Sequence, residues 1–146
     1  MPVVYANLGS NLGNRRAFIE TALIKISEDF GVCCISSFIE TEPWGYESAN
    51  RFLNLGVSFK SEDKPEDILF KLQRIEKSIC AESHRDVNGG YKDRVIDIDI
   101  MAIDDIVLET QQLILPHKHL KKREFFLIPL KELNPEWKFP KRENSK

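Results

Sequence analysis

The chain has 146 residues, 42% of them hydrophobic and 30% charged, with a formal net charge of −2. That length suits one domain, able to bury about 68–70% of its unfolded surface without a staple. The balanced charge excludes the basic surface of a non-specific nucleic-acid binder, no apolar run approaches the ~18 residues of a membrane span, and Cys33, Cys34 and Cys80 have neither disulfide-framework nor metal-site spacing. No nucleic-acid or membrane partner is expected, and with no signal peptide a reducing cytoplasm is the default location.

Pro2 to Leu8 reads as a first strand, stopped by the turn-forming cluster Gly9-Ser10-Asn11-Leu12-Gly13-Asn14. A helix follows to about Phe30, because Ile19, Leu23, Ile26 and Phe30 recur at helical spacing. Val32 to Phe38 is a second strand. Glu40 to Asn50 mixes Pro, Gly, Ser and Asn with large residues and reads as a long loop, of the kind that is functional or disordered. Phe52 to Phe59 alternates, with Leu53, Leu55, Val57 and Phe59 on one face and Phe52, Asn54, Gly56 and Ser58 on the other. Pro65 suits a first helical turn, and Ile68, Leu69, Leu72, Ile75 and Ile79 carry an amphipathic helix to about Cys80. Glu82 to Asp93, with Gly89-Gly90, is a second polar loop. Arg94 to Met101 is rich in β-branched residues and free of Gly and Pro, so it is a strand. Asp104-Asp105 turns into a short strand around Ile106 to Leu108. Leu120 to Leu133 reads as short helical pieces broken by Pro129, and the tail from Lys141 frays. The order β-α-β, β-α-β predicts an α+β, ferredoxin-like split βαβ sandwich: an antiparallel sheet with helices on one face, plus long active-site loops. That fold hosts many functions.

The chemistry must come from the side chains. Asp97 and Asp99 share one face of their strand, about 7 Å apart, while Ile96, Ile98 and Ile100 take the other. Two carboxylates held side by side repel unless a cation joins them, and Mg²⁺ typically takes one or two carboxylates plus substrate phosphates. Alone, the pair reads equally as two solvated acids on an edge strand. Phe52 and Asn54 set an aromatic ring beside an amide, a way to hold a flat heterocycle, or they line a second small core. Gln73 and Glu76 lie three apart on one helix face, placed to hold a ribose or an adenine amine, or simply solvated. Pro116 to Phe125 packs His117, His119 and four cations near a proline, either as a phosphate clamp using His117 and Arg123 or as a solvated basic helix start. A zinc site there lacks a third His or Cys. Neither nucleotide-binding glycine fingerprint is present, and no nucleophile-base pair surrounds Ser36, Ser37 or Ser58.

Taken in register, these segments resemble the 6-hydroxymethyl-7,8-dihydropterin pyrophosphokinases of folate biosynthesis. The resemblance is near full length. It runs from Gly9-Ser10-Asn11-Leu12 through Thr41-Glu42-Pro43-Trp44-Gly45, Phe52-Leu53-Asn54, Gln73-Arg74-Ile75-Glu76, Asp93 to Ile100, Leu115-Pro116-His117 and Arg123-Glu124-Phe125 to Pro135 through Pro140. Each motif is weak singly, and eight in register are specific. The resemblance implies an ATP-dependent diphosphokinase that moves pyrophosphate from MgATP to the pterin hydroxymethyl group and releases AMP. It implies two Mg²⁺ ions on Asp97 and Asp99. Phe52 and Phe125 would sandwich the pterin, Asn54 would read it, and Thr41, Pro43 and Trp44 would contact it. Gln73, Glu76, Ile98, His117 and Arg123 would contact ATP, with Arg94 on the phosphates. The catalytic set is thus Arg94, Asp97, Asp99, His117 and Arg123, in a monomer.

Two departures stand out. Many members carry a Gly-Arg pair shortly after Gln-x-x-Glu, where this chain has Cys80-Ala81, so Arg85 or Lys92 must supply that charge if anything does. Tyr91 stands where others have Trp. Two rival readings follow: a non-catalytic ferredoxin-like module that binds a small regulator or RNA, and a degenerate pseudoenzyme. The acid pair discriminates, since a binding module has no need of it.

Overall fold

The computed structural model describes residues 1–42, 50–82 (backbone alone at 82) and 95–141. The elements are β1 (Val3–Ser10), α1 (Arg15–Phe30), β2 (Cys33–Thr41), β3 (Phe52–Lys60), α2 (Pro65–Glu82), β4 (Asp97–Ile103), β5 (Leu108–Glu109), β6 (Ile114–Leu115) and α3 (Glu124–Leu133). β1 to β4 form one antiparallel sheet in the order β2-β3-β1-β4, and β5 pairs with β6 in a separate ribbon. This is the expected ferredoxin-like arrangement. Gly9 and Ser10 do not end the first strand: they stay in register opposite Asn54 and Leu53.

The two amphipathic helices cover one face. Ile19, Ala22 and Ile26 of α1 and Ile68, Leu72, Ile75 and Ile79 of α2 bury against Val4, Ala6 and Leu8 of β1, Leu55, Val57 and Phe59 of β3, and Ile98 and Ile100 of β4. Asn14 caps α1 by accepting from the Ala17 N–H at 3.1 Å. The expected alternation of β3 holds, with its apolar side on this core.

The last helix departs from the sequence reading in two ways. The segment before Leu133 is one helix containing Pro129, not broken pieces, and it packs on the opposite face of the sheet, where Phe126 and Leu130 join Tyr5, Met101, Ala102 and Trp137. Pro129 is tolerated because the helix is held from outside. A Cβ on Gly56 would lie 2.6 Å from Pro129 Cβ, so α3 sits almost on the β3 backbone. The hydroxyl of Ser36 accepts from the Gly56 N–H at 2.8 Å, and Glu132 accepts from the N–H and hydroxyl of Ser37 at 3.0 Å. These serines thus hold a bulge and a helix.

A second bulge shapes the site. Tyr5 pairs with Ala102 while the next residue, Ala6, pairs with Ile100, so Met101 is the extra residue of β4. The bulge switches the alternation: Ile98 and Ile100 face α1 and α2, the neighbours Met101 and Ala102 both face the α3 side, and Ile103 returns to the first core. The carbonyl of Met101 accepts from the His117 N–H at 2.9 Å.

Candidate active site

By strand alternation Asn7, Asn54, Asp97 and Asp99 lie on the sheet face opposite the α1–α2 core, the face on which α3 packs. On β4, strand alternation turns Asp97 and Asp99 away from the α1–α2 core, as expected. The two side chains lie close enough for the charge of Asp97 to act on the Asp99 carboxyl. The Asp99 carboxyl is pushed well above the usual carboxylate range, first by burial, then by the Asp97 charge, with Glu76 adding to it and Arg123 opposing.

β4 is the edge of the sheet, and α2 reaches round that edge. Glu76 Oε2 accepts from the Ile98 N–H at 2.7 Å. Glu76 is therefore no solvated bystander: it fixes α2 to the strand that carries the acids. In an antiparallel strand the N–H and C=O of one residue leave on the same side, so the Ile98 carbonyl also faces this edge. Here Gln73, Glu76, Asp97, Ile98, Asp99 and His117 line one cleft of about 330 Å³. Its far wall is Gln111, Gln112, Leu113 and Ile114, from the β5–β6 ribbon. Those four residues were not legible in the sequence, because a two-residue strand pair carries no periodicity to detect.

His117 enters the cleft on the bulge carbonyl of Met101. Its Nδ1 accepts from the His119 N–H at 3.1 Å, which leaves the proton of the neutral ring on Nε2 as a donor. Burial, then the nearby Arg123 charge, push its pKa down to about 4. Arg123 is the residue before α3; its guanidinium lies 4.9 Å from the ring centre of Phe126 and 5.7 Å from that of Phe125. It feels the charges of Asp99 and Asp97. The fold thus brings His117 and Arg123 of the basic segment to the acids.

The amide-and-ring pair forms a second part of the site. Asn54 is buried and donates through Nδ2 to Thr41 Oγ1 at 2.9 Å. Gly9 is the floor beneath it: a Cβ there would lie 3.1 Å from Asn54 Oδ1 and 3.4 Å from the Phe52 ring. Asn7, which sequence reasoning passed over, donates through Nδ2 to Asn54 Oδ1 at 3.1 Å. Phe125 sits in the first turn of α3, its ring 5.0 Å from that of Phe126. The stems of the loop after Thr41 are tied to the start of α1. Arg15 pairs with Glu40 at 2.7 Å and donates to the Arg51 carbonyl at 2.9 Å, and Arg51 pairs with Glu42 at 3.0 Å. Pro43, Trp44, Arg85, Lys92 and Arg94 lie outside the described residues, as does the 83–94 loop.

The donor set fits a hard cation. Asp97 and Asp99 are two oxygen ligands whose repulsion a divalent ion would relieve, and among the described residues no cluster of three or more His, Cys, Asp or Glu side chains is placed to hold a metal. Two protein carboxylates completed by water and phosphate oxygens is what Mg²⁺ prefers.

A family described as 7,8-dihydro-6-hydroxymethylpterin-pyrophosphokinase (HPPK) matches residues 5–135. A Porphyromonas gingivalis protein named 2-amino-4-hydroxy-6-hydroxymethyldihydropteridine pyrophosphokinase is 40% identical over 142 residues, 96% of this chain and 95% of that one. A protein of the same name from Aquifex aeolicus is 37% identical over 135 residues, 92% of this chain and 82% of its own. One from Bacillus subtilis is 35% identical over 133 residues, 90% and 77%. Among solved structures, a triple mutant of Plasmodium falciparum HPPK-DHPS superposes with a TM-score of 0.72 at 19% identity, over 94% of this chain. This chain spans only 41% of that one, and the likeness at this identity concerns the fold.

Proposed function

The chain belongs to the 7,8-dihydro-6-hydroxymethylpterin-pyrophosphokinase family, and on that premise we propose how its own residues divide the work. It is an ATP-dependent diphosphokinase, transferring pyrophosphate from ATP to 6-hydroxymethyl-7,8-dihydropterin in folate biosynthesis and leaving AMP. The observation that carries the assignment of roles is the Asp97–Asp99 pair facing the same cleft as Gln73, Glu76 and His117.

In this reading ATP lies along the β4 edge. Gln73 and Glu76 hold its nucleoside end, and the Ile98 carbonyl accepts from the adenine amine. His117 donates from Nε2 to a phosphate oxygen as a neutral ligand, and Arg123 meets the same phosphates as a fixed charge. Arg94 adds a second cation. Asp97 and Asp99 would hold Mg²⁺, in our reading two ions, which would supply charge neutralisation on the phosphates and a lower pKa for the attacking hydroxyl. The pterin lies between Phe52 and Phe125 with Asn54 and Thr41 reading its edge, and Pro43 and Trp44 cover it. Preorganised charge and in-line positioning then supply the acceleration, and no side chain need act as general base.

We read residues 1–146 as one pyrophosphokinase domain acting as a monomer in the cytoplasm, where the thiols Cys33, Cys34 and Cys80 suit reducing conditions. Incubation with ATP, Mg²⁺ and the hydroxymethylpterin should give AMP only when the pterin is present. A folded protein that binds both ligands and forms no AMP would return the chain to the pseudoenzyme reading.

A further inference from the structure

We propose that Asn7 is a positioning residue for the pterin: it locks the Asn54 amide in the orientation that reads the heterocycle. The proposal rests on Asn54 being that reader. Asn7 lies on β1, the strand between β3 and β4, with Gly56 opposite on one side and Asp99 on the other. Asparagine is a poor strand residue, and this one is only 3% exposed. Burying an amide costs stability unless its hydrogen bonds are met. Asn7 meets only part of its capacity: Nδ2 donates to Asn54 Oδ1 at 3.1 Å, while its own Oδ1 is buried with no partner among the described residues. A residue kept for the fold alone would be better apolar, like Ala6 and Leu8 beside it. The bond it does make has a clear effect. Asn54 Oδ1 accepts a hydrogen bond from Asn7 Nδ2, and Asn54 Nδ2 donates one to Thr41 Oγ1 at 2.9 Å. The two bonds fix both ends of the amide, so Asn54 cannot flip its donor and acceptor. Three strands, β1, β2 and β3, thereby set one hydrogen-bonding edge before any ligand arrives. The ordering cost of the reader is met during folding and not on binding.

The test is a cycle of Asn7→Leu, Asn54→Ala and the double variant, with KM for pterin and for ATP measured separately. Losing one orienting hydrogen bond should raise the pterin KM by about 3- to 10-fold in Asn7→Leu. The ATP KM should stay within about 2-fold, and circular dichroism should show a folded protein. In the Asn54→Ala background, Asn7→Leu should add nothing, because its partner is gone. Equal rises in both KM values, or a full additive effect in the Asn54→Ala background, would overturn the proposal in favour of a packing role. If Asn7→Leu does not fold, Asn7→Ala is read by the same criteria. An unchanged pterin KM in Asn54→Ala alone would instead remove Asn54 as the reader, a failure of the parent assignment that the single variant identifies.

Discussion

Asp99→Asn should stabilise the metal-free protein and destroy its activity. Burial first, and the Asp97 carboxylate second, push the Asp99 carboxyl up to about 8. Between the ordinary carboxylate value and pH 8 the folded protein holds a proton that the unfolded chain has released. The folded state is therefore fully favoured below about pH 4 and loses stability as pH rises towards 8. We expect a gain of roughly 1–3 kcal/mol at pH 8 when the buried carboxyl becomes an amide. For a chain of this size that is a rise of roughly 3–10 °C in Tm. The assay is thermal unfolding in chelator at pH 8 and at pH 4.5, with turnover measured in excess Mg²⁺. At pH 8 the variant should melt higher than the parent, and at pH 4.5 the two should converge. Turnover should fall on the order of 10³-fold or more. A variant that melts at or below the parent at pH 8 would show that the pair is not strained. A variant that keeps most of its activity would show that it does not hold the metal.

His117 should titrate near pH 4 and not near 6.5; because its folded pKa is depressed, the stability tied to its neutral form is present above about pH 6.5 and fades as pH falls towards 4. A ring NMR signal with a midpoint at 6.5 in the ligand-free protein would refute its burial and the bond to the His119 N–H. Phe125→Ala should weaken pterin binding by about 1–3 kcal/mol, the scale of one stacked ring, and leave ATP nearly unaffected; equal losses by calorimetry would make Phe125 a packing residue of α3. Gly56→Ala places a Cβ 2.6 Å from Pro129 Cβ, and such overpacking should cost about 1–3 kcal/mol. Denaturant unfolding reads this directly, and an unchanged midpoint would mean that α3 is free to shift away from β3.

The sequence by itself determined the local periodicities and the segments they bound. Alternation in Phe52 to Phe59 and helical spacing in Ile68 to Ile79 settled which faces are apolar, because each element has one pattern that buries its hydrophobes. The same rule put Asp97 and Asp99 together opposite their isoleucines. Tertiary structure decided what no local pattern encodes. Pro129 reads as a breaker from its neighbours alone, yet α3 runs through it because Gly56 lets the helix rest on β3 and Glu132 ties it to Ser37. The bulge at Met101 exists only through pairing with Tyr5 and Ala6, and it supplies the carbonyl that seats His117. Glu76 looks like a surface acid until the edge of β4 offers it the Ile98 N–H. Asn7 looks like an interruption in an apolar strand until Asn54 lies beside it. In each case the deciding contact joins residues far apart in the chain, so the energy that selects the conformation is absent from any short window of sequence.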